Sequence, residues 1–195
     1  MANRNTIVAH VEDRPGVLAR VAALFRRRGF NIESLTVGHS DEPGISRMTI
    51  VVDGDVHHVL QVEKQLFKLI DVVSVENITA RPMVDRELAL FKISADANDR
   101  HKVMELAQIF RADIVDVGDQ SVIVQVLGDQ GKVDKLERML RPFGILELVR
   151  TGRVAMLREE ETSKPPPISA SEHEQEALRA QMGRRPEGEL PFTSD

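Results

Sequence analysis

The sequence predicts an α+β protein built from two βαββαβ units in tandem, followed by a polar tail. Three observations predict it. Apolar residues switch between alternating and helical spacing in the order strand, helix, strand, strand, helix, strand. That order then occurs a second time. Beyond position 158 the chain becomes acidic and broken by proline.

In the first unit, Thr6 to Val11 alternates like a strand, and Val17, Leu18, Val21, Leu24 and Phe25 recur at helical spacing. Pro15 lies near the helix start, where its missing N–H costs nothing. Arg26, Arg27 and Arg28 fill the last turn, favourable against the helix dipole, and Gly29 is a natural C-cap. Phe30 to Val37 forms a second strand, Asp41-Glu42-Pro43-Gly44 a turn and Arg47 to Val52 a third strand. Val59, Val62, Leu66 and Leu69 mark a second helix, and Val72 to Thr79 the fourth strand.

The second unit predicts strands at Leu88–Ser94, Ile114–Gly118, Ser121–Leu127 and Ile145–Arg150, with helices at Arg100–Arg111 and Val133–Leu140. Gly54-Asp55, Val59, Glu63-Lys64 and Leu66 align at constant offset with Gly128-Asp129, Val133, Glu137-Arg138 and Leu140. Such internal repetition points to two ferredoxin-like domains, 4–80 and 85–158. Domains this small often need a partner surface, so a dimer is expected. Residues 159–195 hold nine acidic and four basic residues and five of the nine prolines. Such a tail buries too little apolar surface to offset its ordering entropy and is expected to be disordered.

Composition narrows the function. The totals of 26 basic and 31 acidic residues leave 22 of each sign in the body once the tail is set aside. A neutral body argues against nucleic acid as the main partner, because phosphate contacts need a cationic excess. There is no cysteine, hence no disulfide framework or thiolate chemistry. No apolar run approaches the roughly 20 residues that span a bilayer, and the first residues lack a signal-peptide layout. A soluble cytoplasmic protein without membrane association is the expectation. Apolar mass comes from Val, Ile, Leu and Ala, with aromatics at only 4%, which suits a small sheet with helices packed on it.

No catalytic array stands out. The six histidines form no His-Glu-x-x-His motif, and phosphate loops, nucleophile elbows and dinucleotide fingerprints are absent from the sequence. His57-His58 opens a predicted helix, where adjacent side chains diverge, so a solvated pair is expected rather than a metal site. Asp53-Gly54-Asp55 resembles the start of a calcium loop but lacks its other ligands; a strand-to-helix turn explains it. No metal and no cofactor are expected on this chain.

The first strand-to-helix turn remains. A helix N-terminus offers unpaired N–H groups that bind a carboxylate. Gly16 lets an anion approach the backbone. Asp13 suits an ammonium, and Asn31 offers both donor and acceptor. Val17, Leu18 and Ile32 supply aliphatic surface. Together these residues match a free amino acid. They also match a plain helix start, with Asp13 as cap and Pro15-Gly16 as turn; residue chemistry alone leaves both open.

The run Glu12-Asp13-Arg14-Pro15-Gly16-Val17-Leu18-Ala19-Arg20-Val21, with Arg28-Gly29-Phe30-Asn31-Ile32-Glu33-Ser34-Leu35-Thr36-Val37, closely resembles the ACT domain of the acetolactate (acetohydroxyacid) synthase small subunits. Ser46-Arg47-Met48-Thr49-Ile50, Glu63-Lys64-Gln65-Leu66, Arg86-Glu87-Leu88-Ala89-Leu90 and Ile109-Phe110-Arg111-Ala112 continue the likeness over roughly positions 5 to 158. The resemblance implies an N-terminal ACT domain and a C-terminal ACT-like domain. It implies a non-catalytic subunit that binds and activates the large catalytic subunit and confers feedback inhibition by valine, sometimes by isoleucine or leucine. Thiamine diphosphate, magnesium and FAD would belong to that large subunit. It further implies an effector site between two ACT domains of a homodimer, with Gly16, Val17 and Leu18 offering backbone N–H groups and Asn31 and Ile32 facing them. Asp13 stands where some members carry Asn.

Three alternatives remain distinguishable. A stand-alone ACT-type sensor would act on another enzyme. A ferredoxin-like RNA binder would need more strand aromatics than this chain has. An enzyme in its own right would need a nucleophile, base or metal set.

Overall fold

The computed structural model describes residues 4–96 and 99–158. The predicted disordered tail at 159–195 lies outside the described residues.

The first half runs β1 (Arg4–Glu12), α1 (Val17–Arg28), β2 (Ile32–His39), β3 (Ile45–Asp53), α2 (Val56–Leu66) and β4 (Val72–Asn77). The second runs β5 (Met83–Ser94), α3 (Arg100–Ile109), β6 (Asp113–Val117), β7 (Ser121–Gly128), α4 (Gln130–Leu140), a 3-10 turn (Arg141–Phe143), β8 (Ile145–Arg150) and β9 (Val154–Leu157). The sheet orders are β2-β3-β1-β4 and β6-β7-β5-β8, all antiparallel. This is the ferredoxin-like, ACT-type arrangement, made twice.

Local chemistry sets the element ends. Gly29 adopts φ 69° and stops α1; the Phe30 N–H reaches back to the Phe25 carbonyl at 3.0 Å, as in a Schellman cap. Asp55 and Asp129 cap α2 and α4, each carboxylate accepting a backbone N–H three residues on at 2.8 Å. This settles Asp53-Gly54-Asp55 as a strand-to-helix turn. The expected second strand begins at Ile32 instead of Phe30, because that cap absorbs Phe30, whose ring packs edge-on against Phe25.

Each half has its own core between sheet and helices. Ile7, Val21, Phe25, Ile50, Val62 and Leu66 fill the first; Phe91, Ile93, Val103, Val124, Leu136 and Leu140 fill the second. His57 is exposed as expected, but His58 is not solvated: its ring meets the Phe30 ring edge-on with centroids 4.7 Å apart.

Two features of the fold differ from the sequence reading. The strand predicted from Leu88 begins at Met83, and a further strand, β9, pairs with its first half. This β5–β9 ladder lies on the face of the first sheet opposite its helices, where Ala155, Leu157 and Met83 pack on Val8 and Ile78. That face is therefore buried, with Thr6, His10 and Thr49 at most 3% exposed. β9 is only four residues long and has too little alternation to read as a strand.

Candidate functional site

The turn from β1 to α1 is built around Gly16, the N-cap of α1, at φ 89° and ψ −11°. A left-handed backbone there favours glycine. No side chain caps this helix, so Asp13 is not the cap that its position allowed. The Val17 N–H points to the Arg14 carbonyl at a long 3.4 Å, and the Arg20 N–H reaches the Gly16 carbonyl at 3.0 Å. Among the described residues no hydrogen bond engages the Leu18 and Ala19 N–H groups. They are the open donors of a helix N-terminus, with its positive dipole end behind them.

Asp13 is fixed beside these donors. Its N–H donates to the Gly44 carbonyl at 2.8 Å, and its carboxylate lies 3.1 Å from His39 Nδ1 at the end of β2. Arg20, in the first turn of α1, reaches the buried Asp71 carboxylate at 2.6 Å and anchors the helix start to the loop before β4. The turn thus offers one carboxylate, three backbone donors without a partner among the described residues (Gly16, Leu18 and Ala19) and the half-exposed Leu18. Val17 is different: its side chain is 3% exposed and belongs to the core, so it does not line a slot as expected, and only its backbone borders the turn.

Asn31 and Ile32 are not at this turn. Strand β2 runs parallel to β1, because both pair antiparallel with β3. Ile32 aligns with Val52 and Asn5 at one end of the sheet, while His39 aligns with Ser46 and Val11 at the other. Eight residues at about 3.3 Å each separate the two ends by roughly 25 Å. Within one chain, then, Asn31 and Ile32 do not face Gly16. Asn31 is exposed, and Ile32 packs partly on the first core.

Asn31 and Ile32 instead border a cleft of about 680 Å³ between the halves, with Ser34, Arg150 and Gly152 among its walls. Its cations are already neutralised: Arg4 pairs with Glu33, and Arg150 with Glu87 and Asp134. A staple closes one side. The Arg153 N–H donates to Ser34 Oγ, and the Thr36 hydroxyl donates to the Arg153 carbonyl, both at 2.9 Å. The Arg153 guanidinium adds Thr6 Oγ1 at 2.9 Å, Gln130 Oε1 at 3.1 Å and Asp85 at 3.2 Å. Gly152 adopts φ +84° where a Cβ would come within 2.5 Å of Ser34 Oγ. Since side chains hold this segment, the outer backbone edge of β2 is left unpaired, and β3 is its only strand neighbour among the described residues. His39, Arg20 and Arg153 had no sequence signal: each acquires its role from a residue at least 26 positions away.

Among the described residues no cluster of three or more potential metal ligands occurs, and no helix is long and apolar enough to cross a membrane.

Residues 7–74 match the family profile described as the AHAS small subunit-like ACT domain, and residues 86–159 that described as the small subunit of acetolactate synthase. A probable acetolactate synthase small subunit of Archaeoglobus fulgidus is 54% identical over 155 residues, which is 80% of this chain and 97% of that one. The acetolactate synthase small subunit of Mycobacterium bovis is 49% identical, over 79% of this chain and 92% of that one. The crystal structure of the small subunit from Thermotoga maritima superposes with a TM-score of 0.76 at 40% identity, covering 82% of this chain and 99% of that one. Both halves of the body, in sequence and in fold, thus place this chain in the acetolactate synthase small-subunit family.

Proposed function

We propose that this chain is the regulatory subunit of an acetolactate synthase. In this reading it binds the large catalytic subunit, raises its activity and makes it sensitive to valine, with isoleucine and leucine as the other candidate effectors. Thiamine diphosphate, magnesium and FAD reside on the large subunit, and this chain contributes no reacting group.

One observation carries the effector reading: the two halves of the expected site lie at opposite ends of an edge strand, β2, whose only strand neighbour among the described residues is β3. Two copies related by a two-fold axis that pair through this same edge must do so antiparallel. Ile32 of one copy then comes opposite His39 of the other, beside Asp13 and the Gly16 turn. Each turn is completed by the partner's Asn31. The Leu18 and Ala19 N–H groups take the effector carboxylate, Asp13 its ammonium, and Leu18 with the partner's Ile32 its aliphatic side chain.

The response is a population shift. Valine favours one arrangement of the paired sheets and requires a coupling of roughly 1–3 kcal/mol to change activity several-fold or more. Strand β2 suits this role because Ser34 and Thr36 tie it to Gly152–Arg153 and so to the second half. The test is pyruvate turnover by the large subunit with and without this chain, each with and without valine, alongside calorimetry of valine, leucine and isoleucine on the full chain. Activation plus inhibition by valine is the expected result; a large subunit indifferent to the chain would overturn the reading.

A further inference from the structure

A titratable side chain touches the carboxylate assigned to the effector ammonium. His39 ends β2, and its Nδ1 lies 3.1 Å from Asp13 Oδ2. Asp13 is held in place by its own N–H, which donates to the Gly44 carbonyl at 2.8 Å. Imidazole is the side chain whose charge ordinarily changes between about pH 5 and 8. The other charged groups around His39 are carboxylates and guanidiniums. Glu12 and Arg14 pair at 3.1 Å on the β1–α1 side, and Asp41 and Glu42 follow His39 in the β2–β3 turn. Opposite His39 in register stands the uncharged Ser46, and the next residue, Arg47, donates to the Ala155 carbonyl. The pairing that brings a second copy's Ile32 opposite His39 adds Glu33 of that copy, which its own Arg4 neutralises. The other histidines do not compete. His10 is buried, and burial followed by Arg47, against Asp41, lowers its pKa to about 4, so it stays neutral. His57 and His58 open α2 beyond the Asp53 end of β3, at the far end of the sheet. Among the described residues, His39 is the one imidazole placed to change charge at this turn.

We infer that His39 makes effector binding proton-linked: valine expels a proton from His39, and acid weakens the hold of the turn on valine. The inference rests on the effector reading above and names the residue that tunes that site. When His39 is charged, its Nδ1–H donates to Asp13 Oδ2 and offsets the charge that the effector ammonium needs. An ammonium on the other carboxylate oxygen then also lies about 5 Å from a like charge. When His39 is neutral, Asp13 offers its full charge. A proton on His39 and an ammonium on Asp13 therefore oppose each other, and the opposition is reciprocal. Affinity is full where His39 is neutral and falls as pH drops through its titration. The His39 side chain is 87% exposed, so water screens the effect. It amounts to roughly a three- to tenfold change in affinity. A purely structural His39 would instead alter affinity equally at every pH.

Calorimetry of valine on the full 195-residue chain tests this, run at about pH 7.5 and about pH 5.5. Repeating it in buffers of different ionisation enthalpy reads the protons released. Wild type should bind valine roughly three- to tenfold more weakly at the lower pH and release protons on binding. His39→Gln keeps a polar side chain without a titrating ring. It should match wild type at the upper pH, hold that affinity at the lower one and release no protons. In proton NMR of the wild type, the His39 ring signal, identified by its loss in His39→Gln, should titrate at lower pH once valine is bound. Circular dichroism checks that the variant is folded. Valine binding without proton release, a fall in affinity that His39→Gln shares in full, or a ring titration that valine leaves in place would overturn the linkage while the effector reading stands. No valine binding at either pH would overturn the effector reading, and the linkage with it.

Discussion

Replacing Gly16 by Asp places a carboxylate beside the Leu18 and Ala19 donors, where the effector's own carboxylate is proposed to sit. The structure separates two costs. The first is conformational: at φ 89° any L side chain is strained, by about 1–2 kcal/mol. Space is not limiting, because a Cβ would meet nothing nearer than Arg20 Nη2 at 4.0 Å. The second is electrostatic. Two carboxylates about 5 Å apart repel by ~3 kcal/mol at an effective dielectric of 20 and by ~1 kcal/mol in bulk water. Valine affinity should therefore fall between roughly fivefold and 150-fold. Gly16→Asn is the control, since Asn tolerates the left-handed region and lacks the charge. Titration calorimetry with valine should show the Asp variant much weaker than the Asn variant, with activation of the large subunit largely retained by both. Equal valine binding by wild type, Asn and Asp variants would refute the reasoning and move the site away from this turn.

Two further predictions address how the halves are held together. Gly152→Ala forces a Cβ against Ser34 Oγ in a left-handed backbone; strain of about 1–2 kcal/mol plus about 1 kcal/mol for each displaced Arg153 hydrogen bond should lower the melting temperature by several degrees. It should also raise hydrogen exchange along β1, and unchanged exchange there would show that the staple does not hold the β5–β9 ladder in place. His10, sealed under that ladder, has its pKa lowered to about 4, first by burial and then by Arg47, against an opposing pull from Asp41. A folded pKa below the ordinary value of 6.5 means that His10 contributes stability fully above pH 6.5, lost as pH falls toward 4. Screening leaves about 1–2 kcal/mol of that effect. Stability of His10→Gln, measured by denaturant unfolding from pH 7 to 4, should be flatter by this amount; parallel curves would assign the acid sensitivity elsewhere.

The element order was legible in the sequence because one buried face imposes its period on the residues. Val17, Val21, Leu24 and Phe25 specify a helix, and Thr6 to Val11 a strand, without reference to the rest of the chain. Gly29 marked its helix end for the same local reason. Asp13 and Gly16 were legible as a turn, and the resemblance carried Asn31 to the same site. Their separation by the length of a strand was not legible, because strand direction follows from pairing with β3. Nor was the split between two neighbours of the same apolar set, Val17 going wholly into the core and Leu18 staying half-exposed at the turn.

What the sequence alone determined, then, is what local periodicity and capping govern: two βαββαβ units in tandem and a turn at Asp13–Gly16 ahead of the first helix. What only the tertiary structure decided depends on contacts far apart in the chain. Arg153 meets Ser34 and Thr36 across more than 110 positions, β9 becomes a strand only because the first half of β5 is there to pair with it, and Asn31 is carried away from Gly16 by the parallel run of β1 and β2. Hydrogen bonds and apolar contacts of that range leave no period in the sequence, since any residue with the right donor or size satisfies them once the sheets have brought it into place.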